Sequence, residues 1–143
     1  CAAPRQLQAG RFLPPTPIRI LINEQGMRFD AQLACEQLTD RGQPLDIQSL
    51  APVLRHYRKS IKRLVERAQL EARKAVPDLI EGAGKAMMEA YTEEIQRMVA
   101  LRRHNPNIRE EEIEALQAQG LALHRHLQTA ALRLDALRLI VTL

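Results

Sequence analysis

From Ser49 onward, apolar residues recur at spacings of three and four: Leu54, Tyr57, Ile61, Leu64, Ala68, Ala72, Ala75, Leu79, Ala83, Ala86 and Ala90. That period lays them along one stripe of an α-helix. Ser49 reads as the N-cap, with Pro52 in the first turn. The stripe keeps its phase through Pro77. A proline there removes the hydrogen bond to the carbonyl of Arg73 at a cost of about 3 kcal/mol, so a kink or a break is expected. His104-Asn105-Pro106 ends the run, and Asn107 is expected to cap a second helix. Glu110 stands at its capping-box position, with Glu111 and Glu112 near the positive end of its dipole. The second stripe is Ile113, Leu116, Gly120, Leu123, Leu127, Ala131 and Leu134.

Two helices joined by so short a turn run antiparallel. Pairing outward from the turn sets Ile113 near Met98, Gly120 near Tyr91, Leu127 near Gly84 and Leu134 near Pro77. Two of these contacts oppose a small residue to a large one, which lets the helices approach closely.

Ahead of the helices, Ile18 to Ile22 is apolar and β-branched, Asn23-Glu24-Gln25-Gly26 is turn chemistry, and Met27 to Phe29 resumes an extended pattern. This predicts a hairpin. Pro14, Pro15 and Pro17 cannot donate ladder hydrogen bonds and form a stiff crossing segment that feeds it. Ala31 to Gln43 is ambiguous, with a short helix as one reading, and Asp40 to Pro44 is a loop. At the other end, Leu137, Leu139 and Val141 alternate with Arg138, Ile140 and Thr142, a period of two that predicts a strand returning to the hairpin's sheet. The expected fold is α+β and mainly α: a long antiparallel helical hairpin packed on a small antiparallel sheet. The sheet would combine the N-terminal hairpin with the C-terminal strand. One domain spans 1–143, with the proline lead-in and β-hairpin in 1–30, helices in 49–134 and the strand in 137–142.

The 143 residues suit a single core. Beginning at Cys1 and ending on an apolar run, the chain reads as a domain cut from something larger. No apolar stretch is long enough to span a membrane, which predicts a soluble protein. Cys1 and Cys35 are too few for a disulfide framework and fit a reducing compartment.

Charge is distributed unevenly. The net charge is +4 overall, but Val53 to Ala75 alone carries +6 and Asp78 to Met98 carries −3. Local basicity of this kind is what a partner-binding face looks like. At 100° per residue, Arg55, Arg58, Lys59, Lys62 and Arg73 fall on one face of the first helix. Leu54, Tyr57, Ile61, Leu64, Ala68 and Ala75 fall opposite. The candidate partner-binding residues are Arg55, Arg58, Lys59, Lys62, Arg63 and Arg67, which could meet phosphates or an acidic protein surface. A solvated helix face is the other reading. With only Phe12, Phe29, Tyr57 and Tyr91 as aromatics, base stacking is not supported.

Other candidate chemistry is weak. Gly82-Ala83-Gly84-Lys85-Ala86 has the Gly-Lys of a phosphate loop, but Leu79 and Ala86 stand where the motif needs a glycine and a hydroxyl. It reads instead as a small-residue helix contact. His124 and His126 lie about 200° apart on a helix and cannot share a metal. Glu110, Glu111 and Glu112 are a solvated helix start, and no serine or cysteine has an identifiable base. No catalytic, cofactor-binding or metal-binding residue is assigned.

Three stretches, Arg11 to Pro17, Asn105 to Arg109 and Arg133 to Val141, resemble in order the extreme C-terminal region of the RapA family. These are the bacterial RNA polymerase-associated ATPases of the SWI/SNF helicase superfamily. The resemblance implies a cytoplasmic parent protein that binds RNA polymerase and DNA and uses ATP hydrolysis to promote polymerase recycling. ATP and Mg would sit in motor domains upstream, so no catalytic residue carries over. It also implies other domains of the same chain as neighbours, with the prolines leading into the terminal domain. Two alternatives stay open: an independent basic helical module that binds nucleic acid, and a lipoprotein trimmed to Cys1.

Overall fold

The computed structural model describes residues 8–44, 46–105 and 107–141, without the side chains of Cys35, Arg41, Ile47 and Ser49. The expectations placed on Cys1, Pro106, Thr142 and the side chains of Cys35 and Ser49 lie outside the described residues. Five helices follow in chain order: α1 (Ala9–Phe12), α2 (Cys35–Arg41), α3 (Ile47–Arg73), α4 (Val76–Arg102) and α5 (Glu110–Leu127). The chain divides into two compact units, one of Cys1–Pro17 with Val76–Ala131 and one of Ile18–Ala75 with Leu132–Leu143.

The first unit is the predicted antiparallel helical hairpin, α4 with α5. Gly120 faces the ring of Tyr91 and Gly84 faces the ring of His124, so each helix offers a glycine to an aromatic ring of the other. Partner numbers that rise on one helix as they fall on the other can only come from antiparallel helices. Met87, Leu123 and Leu127 are fully buried in the seam beside Ala83. Burial of each large side chain is worth about 1.5–3 kcal/mol. The one-turn helix α1, absent from the sequence reading, packs on both α4 and α5. Its Phe12 ring lies 6.5 Å from that of Tyr91.

Several boundaries differ from expectation. The long helical stripe breaks at Lys74 and Ala75, where α3 ends and α4 begins. Pro77 thereby occupies the second position of α4, where a backbone N–H would have no intrahelical acceptor in any case. The second helix starts at Glu110 with Arg109 as its N-cap. Asn107 instead stands in the preceding turn, donating its N–H to Asn105 Oδ1 at 3.0 Å. Helix α5 stops at Leu127 and not at Leu134, because the Thr129 hydroxyl donates to the carbonyl of His126 at 2.7 Å and closes the last turn. Gly84 accordingly meets His124, one turn away from the expected Leu127. Helix α3 starts at Ile47, ahead of Ser49.

The expected sheet is absent among the described residues, and the α+β reading is corrected to a helical fold. The predicted hairpin survives as a turn with one antiparallel bridge, Ile22 to Arg28. Gly26 takes φ 79°, the left-handed geometry that favours glycine. The Asn23 side chain accepts the Met27 N–H at 2.8 Å. Residues 132–141 run without regular structure, and Leu137 is 63% exposed. A period-two pattern specifies an extended backbone but not a partner for it, and two short strands alone are marginal in water. The side chain of Arg138 instead reaches α2, donating to Thr39 Oγ1 at 3.1 Å and to the carbonyl of Leu38 at 3.4 Å. A cation there sits well against the carbonyl end of a helix.

Candidate partner-binding face on helix α3

All six basic residues singled out from the sequence lie on α3 and are exposed. Among the described residues, Arg55, Arg58, Lys59 and Arg63 form no ion pair. Lys62 approaches Glu66 only at 4.0 Å, with both side chains mostly in water. Such a pair contributes little. Arg67 is different, since its guanidinium lies 3.1 Å from the carboxylate of Glu71.

Glu71 is the residue that sequence reasoning missed. It is buried, and three cations converge on it: Lys74 donates to both oxygens at 2.8 Å, Arg67 stands at 3.1 Å, and Arg28 of the hairpin reaches it at 3.8 Å. The hydrogen bond from Lys74, with the fields of Lys74, Arg67 and Arg28, holds the Glu71 carboxyl below its ordinary range despite burial. Arg28 also forks onto Asp30, at 3.0 Å and 2.6 Å. That bond draws Asp30 down to about 2. The spacings Arg67 to Glu71 and Glu71 to Lys74 mark helix pairs in the sequence. Nothing in the sequence marks Arg28, because a contact across 43 positions depends on the hairpin's placement.

Five of the six basic residues fall into two groups, and Lys59 lines neither cleft. Arg63 and Arg67, with Leu64, line a cleft of about 610 Å³ whose other wall is the hairpin turn Glu24, Gln25 and Gly26. Arg55, Arg58 and Lys62 line an open groove of about 510 Å³ together with Leu54 and Ile61. The expected opposition of apolar and basic faces is therefore incomplete, since Leu54 and Ile61 share a groove with three of the cations. On a helix, Arg58 is only about 40° around from Leu54.

Of the phosphate-loop-like run, only one glycine meets the expected helix contact. Gly82 and Gly84 lie inside α4, Gly82 beside open space and Gly84 against His124. Among the described residues no three His, Cys, Asp or Glu side chains are placed to hold a metal ion. No described helix is long and apolar enough to cross a membrane.

These features define a mainly helical chain that presents a cationic helix to solvent. The model of the family described as "RNA polymerase recycling family C-terminal" matches residues 1–142, and the chain belongs to that family. It is 35% identical over 140 residues to the RNA polymerase-associated protein RapA of Actinobacillus pleuropneumoniae serotype 3 (strain JL03). It is 32% identical over 139 residues to the protein of the same name from Cronobacter sakazakii. These matches cover 98% and 97% of the chain but 14% of each relative.

Proposed function

We infer that this chain is the accessory C-terminal domain of an ATP-dependent translocase that associates with bacterial RNA polymerase in the cytoplasm and promotes its recycling during transcription. The domain bears interactions and leaves catalysis, with its ATP and Mg, to motor domains upstream. Its partner-binding face is α3, through Arg55, Arg58, Lys59, Lys62 and Arg63, while Arg67 is engaged with Glu71. Membership of the polymerase-recycling family and the names of the relatives support the setting. The observation that carries the face is that Arg55, Arg58, Lys59 and Arg63 stand on one helix without an ion-pair partner among the described residues. Unpaired cations of this density raise the local potential and steer anionic partners.

The test replaces Arg55, Lys59 and Lys62 together by Gln in the full-length protein and follows its association with RNA polymerase over a range of salt. Weaker association with a flatter salt dependence is expected. Unchanged affinity at low salt returns α3 to the status of a solvated face. Loss of DNA binding alone, with polymerase association intact, favours an independent nucleic-acid-binding module.

A further inference from the structure

The apolar stripe of α3 runs the length of the helix, but its burial does not. Towards the C-terminal end Glu71 and Ala72 are buried, and the hairpin turn comes up against Arg67 at Gly26. Towards the N-terminal end Leu54 is 41% exposed and Tyr57 46%. Within its own unit no other helix packs on α3 among the described residues.

Single exposed apolar residues are ordinary. Here they are ordered: Leu54 and Ile61 lie two turns apart and supply the apolar lining of the open groove, whose other lining residues are Arg55, Arg58 and Lys62. A partner that fills this groove must do two things at once. It must take that apolar lining out of water, which apolar side chains at helical spacing do. It must also supply anions beside Arg55 and Arg58, which no carboxylate among the described residues neutralises. A nucleic-acid backbone meets the second need and leaves the apolar lining wet. An amphipathic helix with leucine-like side chains along one stripe and Asp or Glu beside them meets both.

We propose that the groove along Leu54, Arg55, Arg58, Ile61 and Lys62 docks an acidic amphipathic segment of a partner protein. This rests on the reading of α3 as the partner-binding face and specifies the chemistry of what it binds. Apolar contact fixes the register, and the flanking arginines select acidic over basic helices and speed the encounter.

The probe is a synthetic helical peptide with leucines at alternating third and fourth positions and glutamates between them. Its controls are the same residues scrambled around the helix, and a DNA duplex. Binding to the full-length protein is measured for the parent, for Leu54→Ser, and for Arg55→Gln combined with Arg58→Gln. Because Leu54 is half in water, its replacement leaves the fold intact, which thermal melting verifies. Each variant should bind the peptide about tenfold or more weakly. The scrambled peptide should bind the parent no better than the variants bind the ordered one, and only the arginine variant should lose salt dependence. Equal affinity for ordered and scrambled peptides, or indifference to Leu54→Ser, overturns the proposal. So does a preference for the duplex that depends on the arginines alone. Polymerase association is read in parallel. If it falls in the arginine variant but not in Leu54→Ser, the groove fails and the basic face stands. If the peptide binds as expected while polymerase association is untouched, the groove stands and the basic face is not a polymerase contact.

Discussion

The ring of Tyr91 on α4 lies against the backbone of Gly120 on α5, so closely that a β-carbon at position 120 would stand 3.0 Å from Tyr91 Cδ1 and 3.3 Å from Cγ. At the other reciprocal contact, a β-carbon on Gly84 would meet His124 Cε1 at 3.7 Å, an ordinary van der Waals separation. The two glycines therefore differ in what they tolerate. Gly120→Leu overpacks the seam and should cost about 1–3 kcal/mol in chemical denaturation. Gly84→Ala should be neutral or stabilising by up to about 1 kcal/mol, since it removes a helical glycine without a clash. The reverse order would contradict the described register.

Glu71 holds the hairpin to α3 through Arg28, and holds the end of α3 through Lys74. Glu71→Leu removes the acceptor and leaves three cations facing one another. The expected result is faster amide hydrogen exchange across residues 18–33, with the α4–α5 seam unaffected. Exchange that rises evenly across the chain would argue against a local tie.

The pH dependence follows from the same cluster. Asp30 is lowered from 3.8 to about 2 by the hydrogen bond from Arg28. Glu71 is lowered from 4.5, first by its hydrogen bond from Lys74. Carboxyls lowered in the folded state contribute in full above their ordinary values, and lose that contribution as pH falls through the folded ones. Protection of the hairpin should thus hold above about pH 5 and decline from about pH 4 downward. A hairpin equally protected at about pH 7 and pH 3 would show that these pairs do not hold it.

At the C-terminal end, Leu139, Ile140 and Val141 are each about two-fifths exposed. Leu139→Ser with Val141→Ser should shift stability by no more than about 0.5 kcal/mol, as for other surface positions. Arg138→Ala removes two hydrogen bonds to α2 and should cost up to about 1 kcal/mol. A large loss in the double serine variant would mean that these side chains are buried after all.

The sequence disclosed what periodicity and a short turn encode. The stripes through Leu54–Ala90 and Ile113–Leu127 specify helices, and counting outward from the turn around Asn105 brings Gly120 to Tyr91. The same count misses His124 by one turn, because the exact contact depends on how the helices settle. The sheet was read where none forms among the described residues, for a different reason. Alternation in 137–142 describes one extended backbone, whereas a ladder needs two, and Arg138 ties that segment to α2 instead. At the candidate site the basic character of α3 was readable, with Arg55, Arg58, Lys59 and Lys62 on one helix face. That Glu71 also engages Arg28 depends on where the hairpin lies, whereas its pair with Arg67 and the nearness of Leu54 to Arg58 follow from spacing within α3 and went unread.

The most direct test of α3 as the partner-binding face is site-specific photo-crosslinking in the full-length protein assembled with RNA polymerase. A photoreactive side chain is placed at Lys59, on the unpaired basic face of α3, or at Gln117, exposed on α5. Crosslinks to a polymerase subunit from position 59 and none from position 117 are expected. Crosslinks from position 117 without any from position 59 would contradict the assignment of the face.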